Sequence, residues 1–200
     1  MLVGKRMTPD PVAIAPEEHL AEARARMLRG RFRRLPVVQD GRLVGIITDR
    51  DVRQHLGFLE RTKVNAVMSE NLITVKPQST LEEAAQLLLK HKIGGLPVVD
   101  EQRLVGIITT SDILRAFLQV MGASEEGTSR VDLLLEGEGH DLAAASAAVS
   151  QQGGEVLGLG TYREKWGENP VCYLRLHGVD PQRVVEALSH QGFTVLGVHP

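Results

Sequence analysis

Laid over itself with an offset of 61 residues, the sequence aligns positions 7–52 with 68–113 without a gap. Of these 46 positions 18 are identical, where chance at ordinary composition gives about three. A duplication constrains the fold more than any other feature of the chain, because one unit of structure must serve twice and each copy must cover the other. The strongest block is LPVVQDGRLVGIITDRD, residues 35–51, against LPVVDEQRLVGIITTSD, residues 96–112.

Each copy reads as a short strand, a helix, a hairpin and a final helix. Val12, Ala13 and Ile14, with Ile73, Thr74 and Val75 in the second copy, form a short extended run stopped by Pro16 or Pro77. Leu20, Ala23 and Met27, and likewise Leu81, Ala84 and Leu88, then place an apolar stripe at helical spacing. In the second copy Ser79 or Thr80 can cap that helix, and Glu82 and Glu83 favour its dipole. The hairpin strands are LPVV and RLVGIIT, joined in the first copy by Asp40-Gly41, a strong two-residue turn signal. Val- and Ile-rich strands with little alternation are buried on both faces, and a unit this small cannot cover such a sheet alone. Two units packed sheet to sheet are therefore expected, as a pseudo-twofold pair with a cleft on the dyad.

The segment Gly45-Ile46-Ile47-Thr48-Asp49-Arg50-Asp51 recurs as Gly106-Ile107-Ile108-Thr109-Thr110-Ser111-Asp112. An acidic residue opening a helix is often merely a cap. Here the Asp persists in both copies while Asp49 and Arg50 diverge to Thr110 and Ser111, beside a helix start that favours anions. With this ending and the L-P-V-V strand before it, the repeat resembles the CBS family, tandem regulatory modules that bind adenine nucleotides or related adenosyl ligands. The resemblance implies that Asp51 and Asp112 accept hydrogen bonds from the ribose hydroxyls, with Thr48 and Thr109 beside the ribose or phosphate. A carboxylate suits a vicinal diol, since charge-assisted hydrogen bonds contribute roughly 1.5 to 3 kcal/mol each. The resemblance also places adenine against Val12, Ala13 and Ile14 or Ile73, Thr74 and Val75, with Leu35, Pro36, Ile93, Leu96 and Pro97 as walls.

Phosphate contacts in the family come from basic residues just before the L-P, which here are Arg33 and Arg34; Lys92, Arg50 and Ser111 are further phosphate candidates. The second copy has Gly94 and Gly95 in place of the arginines, where a ligand can approach the backbone closely. The two clefts are thus expected to be unequal. Arginines favour a nucleotide (AMP, ADP or ATP) over an uncharged adenosine or a cationic sulfonium.

Residues 122–129 read as a flexible linker. Beyond them strands at 131–135, 155–159, 171–176 and 193–198 and helices at 142–149 and from Pro181 follow the order βαββαβ, a four-stranded antiparallel sheet with both helices on one face. Tyr162 and Trp166 are expected to pack on that sheet. The order and the Gly137-Glu138-Gly139-His140-Asp141 loop resemble an ACT domain, an amino-acid-binding or dimer-forming regulatory module, although the usual Pro before the loop glycine is absent. That resemblance implies a ligand loop at Gly137, Gly139, His140 and Asp141; a purely dimerising domain is the competing reading. The expected fold class is α/β (α+β): a CBS unit at 1–60, a second at 61–121, the linker, and a ferredoxin-like ACT domain at 130–200. The whole resembles the acetoin-utilisation type of bacterial CBS and ACT protein.

The formal net charge of -2 hides an asymmetry, with +5 over residues 1–65 and -7 over the remainder. Six arginines between Arg24 and Arg34 invite a nucleic-acid reading. Glu18 and Glu22 at helical spacing offer the simpler one of a solvated, ion-paired face, and 4% aromatic residues leave few stacking platforms. No G-x-S-x-G, H-E-x-x-H or G-x-x-x-x-G-K-S/T motif suggests catalysis. A single Cys172 argues against disulfides and cysteine zinc sites, and no apolar run is long enough to span a bilayer. The sequence thus points to a non-catalytic, cytoplasmic, homodimeric sensor with no metal or required cofactor. Its expected partners are an adenosine-containing small molecule and a regulated enzyme; the alternatives are an ACT-mediated dimer scaffold with little ligand response and a nucleic-acid binder.

Overall fold

A computed structural model describes residues 1–136, 141–163 and 165–200, and the chain divides into two compact units, Met1–Leu114 and Arg115–Pro200. The apolar stripes form helices α1 (Leu20–Gly30) and α3 (Leu81–His91), which bury Leu20, Ala23 and Met27 and, equivalently, Leu81, Ala84 and Leu88. Thr80 caps α3 by accepting the Glu83 N–H at 3.1 Å, while Ser79 Oγ accepts the Lys76 N–H at 3.4 Å. Both helices end on a left-handed cationic residue, Arg31 (φ 53°) and Lys92 (φ 52°), whose charge complements the carbonyl end of the helix.

The hairpins follow as β2 (Arg34–Gln39) with β3 (Arg42–Thr48), and β4 (Gly95–Asp100) with β5 (Arg103–Thr109). Asp40 and Gly41 turn with φ of 51° and 77°, the doubly positive geometry that matches strand twist. The second copy makes the same turn on Glu101 and Gln102, with φ of 45° and 70° and no glycine to relieve it. Helices α2 (Asp49–Gln54) and α4 (Thr110–Val120) close the two copies.

Two expectations need correction. The Val12, Ala13, Ile14 run is no strand; it contributes one parallel bridge, Ile14 to Val37, as its counterpart contributes Val75 to Val98. Pro11 and Pro16 on either side supply no N–H and restrict their neighbours, so pairing cannot propagate. Nor do the hairpins stack as separate sheets. They share one sheet, joined edge to edge through Arg42 and Arg103.

What ties the copies together is an exchange of lead-in segments. Strand β1 (Thr8–Pro9) pairs with β5 of the other copy, Thr8 opposite Ile107, and Ser69, 61 residues later, pairs with Ile46 of β3. The Val3 N–H donates to Ser79 O at 2.9 Å and the Val64 N–H to Glu18 O at 2.8 Å. Val64 is consequently fully buried in the core formed by Ile14, Leu20, Leu35, Val37 and Ile47. The exchange also accounts for the motif glycine: a Cβ on Gly45 would lie 2.5 Å from Met68 Sδ, and Met7 stands over Gly106 in the same way.

In the second unit β6 (Ser129–Leu134), α5 (Leu142–Gln151), β7 (Glu155–Tyr162), β8 (Val171–His177), α6 (Pro181–His190) and β9 (Thr194–His199) form an antiparallel sheet in the order β7-β8-β6-β9. Ala145, Ala148 and Val149 of α5 and Val184 and Leu188 of α6 join Val131, Leu133, Cys172, Leu174 and Leu176 in one core, which puts both helices on one face, as expected. Between Val131 and Leu133 the alternation turns Asp132 to the other face, where its carboxylate takes the Arg130 guanidinium at 2.6 and 2.9 Å. Trp166 does not pack on the sheet. It is 99% exposed, in the turn beyond the end of β7, while Tyr162 lies under the Arg130 guanidinium, 5.9 Å from ring centroid to Cζ.

Candidate functional site

The Thr and Asp of the repeated motif meet in both copies with the same geometry. Thr48 ends β3 and caps α2; its N–H and Oγ1–H donate to Asp51 Oδ2 at 2.9 and 2.6 Å, and the Asp51 N–H returns a longer bond to Thr48 Oγ1 at 3.4 Å. Thr109 N–H and Oγ1–H reach Asp112 Oδ2 at 2.9 and 2.7 Å. The cap reading of these residues is therefore correct, and it does not exhaust them. Both bonds fall on one oxygen, and Asp51 Oδ1 receives no hydrogen bond from the described residues. The cap fixes the carboxylate at the strand-to-helix corner and leaves an acceptor edge half-exposed, pre-organised for a donor pair from outside.

Arg33 and Arg34, alike in sequence, part in the structure. Arg33 is exposed and its carbonyl accepts the Asp49 N–H at 2.8 Å. Arg34 begins β2 beside Thr48, but its side chain leaves its own copy and donates from Nη1 to Gly94 O of the other at 2.7 Å. Cβ atoms on Gly94 and Gly95 would lie 2.5 and 2.7 Å from Arg34 Nη2 and Nη1. The two glycines thus make room for this arginine, whereas the sequence suggested room for a ligand. Burial, and then the neighbouring Arg33, hold the Arg34 pKa below the ordinary arginine value.

The adenine positions divide by burial. Leu35 and Leu96 are fully buried and Ile14 and Val75 nearly so, which places the two leucines in the cores of their units. Pro36 and Pro97 are buried too, whereas Ala13, Ile73 and Ile93 are half-buried and Val12 and Thr74 exposed. The two edges also differ in a way the sequence did not reveal. Ala13 O is occupied by Arg26 Nη1 at 2.7 Å, while position 87, which matches Arg26, is Leu and can make no such bond. The remaining phosphate candidates, Arg50, Lys92 and Ser111, are all exposed.

Arg26 also pairs with Glu18 at 2.5 Å and Glu22 at 2.9 Å, so this member of the arginine run is committed to the fold. Asp49 pairs with Arg53 at 3.0 Å and not with Asp51. In the second unit Asp141 caps α5 by accepting the Ala144 N–H at 2.9 Å; Gly137, Gly139 and His140, the rest of the expected loop, lie outside the described residues. Among the described residues no cluster of His, Cys, Asp and Glu suits a metal, and no helix is long and apolar enough to cross a membrane.

With this geometry in place, comparison with known proteins is decisive for the family. The CBS domain model matches residues 3–57 and 64–119, more than half of the chain. The chain belongs to the CBS-domain family. Protein MJ1225 of Methanocaldococcus jannaschii is 37% identical over 131 residues, covering 58% of this chain and 47% of that one. The chain spans less than half the length of the curated relatives it matches. Among solved structures, a Vibrio cholerae protein described as an acetoin utilization protein, AcuB, is 33% identical with a TM-score of 0.57, covering 63% of this chain and 96% of that one. The CBS pair of protein MJ0100, solved with 5'-methylthioadenosine and S-adenosyl-L-methionine, is 31% identical with a TM-score of 0.55, covering 62% and 98%. CBSX2 in complex with AMP is 30% identical with a TM-score of 0.54, covering 60% and 97%.

Proposed function

We propose that the chain is a non-catalytic regulatory sensor that binds an adenine nucleotide in the cleft between its two CBS units. The observation that carries this reading is the duplicated Thr48/Asp51 and Thr109/Asp112 corner, which holds a carboxylate at the same strand-to-helix position in both copies, where a ribose diol could meet it. CBS pairs similar to this one have been solved with adenosine ligands, AMP in one and S-adenosylmethionine with methylthioadenosine in another. The half-buried guanidinium of Arg34 favours the phosphate-bearing member of that set over the sulfonium. Isothermal titration of the full chain with AMP, ADP, ATP and S-adenosylmethionine tests it: a nucleotide binds more tightly than the sulfonium. The opposite order would remove the nucleotide assignment.

In this reading the second unit relays the ligand state as an ACT-like domain. Its sheet order and its two helices on one face support that assignment. The chain acts in the cytoplasm as a homodimer, and α4 exposes Leu114, Phe117, Leu118 and Val120, an apolar stripe suited to a second copy or a regulated enzyme. Light scattering at micromolar concentration should give twice the chain mass; a monomer would refute the dimer.

A further inference from the structure

We propose that Arg34 is a latch between the two CBS units which an anionic group on the ligand releases, so that the Asp112 cleft distinguishes phosphate-bearing from uncharged adenosine ligands. The inference rests on the sensor reading and adds to it a side, a direction and a mechanism of coupling.

The backbone of Arg34 stands in the first unit, opposite Thr48, and its guanidinium stands in the second. There Gly94 O accepts three donors: Arg34 Nη1 at 2.7 Å, the Thr110 N–H at 3.3 Å and Thr110 Oγ1 at 3.4 Å. Thr110 follows Thr109, the residue that holds Asp112. The first unit thus sends a cation to the ribose corner of the second. Nothing returns the favour, because the counterpart of Arg34 is Gly95 and has no side chain.

The latch is poorly compensated. A guanidinium has five N–H donors, and this one, half-buried, spends a single hydrogen bond on a neutral carbonyl. No carboxylate of the described residues pairs with it, and Arg33 beside it carries the same charge. A phosphate presents a charged, bidentate acceptor that a carbonyl cannot match, with hydrogen bonds roughly twice as strong. Anion binding therefore draws Arg34 off Gly94 O and breaks its bond across the units. Adenosine, with no phosphate, leaves the bond in place. A ligand shifts a conformational equilibrium only through such a difference in contacts between the two states.

Two substitutions should move AMP affinity in opposite directions. Arg34→Gln removes the cation, and titration calorimetry on the full chain should show AMP binding weakened about tenfold or more with adenosine unaffected. Gly95→Ala keeps the cation but sets a Cβ 2.7 Å from Nη1, and all three of the nearest atoms to that Cβ belong to Arg34. With the latch already opened, AMP should bind more tightly than to the parent chain. Unchanged or weaker AMP binding by Gly95→Ala would overturn the latch, as would equal loss of AMP and adenosine in both variants, which marks a merely structural arginine. Asp112→Ala should abolish the preference for AMP over adenosine while Asp51→Ala preserves it; the reverse would put the latch at the wrong cleft. If the parent chain binds adenosine and AMP equally, the latch fails and the sensor stands. If it binds neither, the sensor itself fails. Far-UV circular dichroism confirms that each variant is folded.

Discussion

Replacing Asp51 separates the two jobs that its carboxylate performs. Asp51→Ala removes the acceptor of both the Thr48 N–H and its hydroxyl. The corner is half-exposed, so water can take over part of the bonding, and the loss should resemble that of a helix cap, about 1 kcal/mol within a usual range of 0.5 to 2. Asp51→Asn keeps one acceptor oxygen for Thr48 and should cost well under that. The ligand sees the two variants differently. With its one oxygen held by Thr48, the neutral amide turns its NH2, a donor, toward the ribose diol, and losing a charge-assisted hydrogen bond costs roughly 1.5 to 3 kcal/mol, or at least tenfold in Kd. Urea unfolding followed by circular dichroism reads both quantities. A saturating nucleotide at a hundred times its Kd should raise the stability of the parent chain by about 2.7 kcal/mol. The Asn variants at 51 and 112 combined should keep near-parental stability without ligand and lose about half of that increment or more; the Ala variants should lose both. An Asn pair that retains the full increment would refute the ribose role, and Ala variants as stable as the parent would refute the cap.

Three further outcomes follow from the fold. Val64→Ala should cost about 2 kcal/mol, from two buried methyl groups and the cavity they leave, although Val64 falls between the two repeats; a neutral effect would contradict its place in the first core. Burial, and then Asp132, push the Cys172 thiol up to about 11 from its ordinary 9.0, so the native thiol stays protonated at neutral pH. Stability should accordingly be insensitive to this group below pH 9.0 and fall between 9.0 and 11, where only the unfolded chain ionises; rapid reaction of native protein with a thiol reagent at pH 8 would contradict this. With Arg26 held by Glu18 and Glu22, duplex DNA should not bind even at low salt, and an affinity falling steeply with log salt would revive the nucleic-acid reading.

Much of this was legible in the sequence because the chain states it twice. The 61-residue offset gives the helices, the hairpins, the Asp40-Gly41 turn and the Thr/Asp corner, all governed by spacing and local propensity. The exchange of lead-in segments was not legible. Thr8, Pro9 and Ser69 carry no strand pattern, and their pairing is decided by contacts reaching roughly 100 residues along the chain in one case and 23 in the other. At Leu35 and Leu96 the sequence leaves wall and core equally open, because an apolar residue next to a predicted site reads as either, and only the fold shows both fully buried. The Gly94-Gly95 pair is legible in the sequence as an asymmetry, but only the path of the Arg34 side chain shows what fills that space.

The central claim is that the cleft between the CBS units binds an adenine nucleotide through two carboxylates. Titration calorimetry of AMP into the full chain, beside the Asp51→Ala, Asp112→Ala double variant, tests it most directly. The account predicts saturable heat for the parent chain and none for the folded double variant. No binding of AMP, ADP, ATP or S-adenosylmethionine at millimolar concentration, or AMP binding unchanged in the double variant, would contradict it.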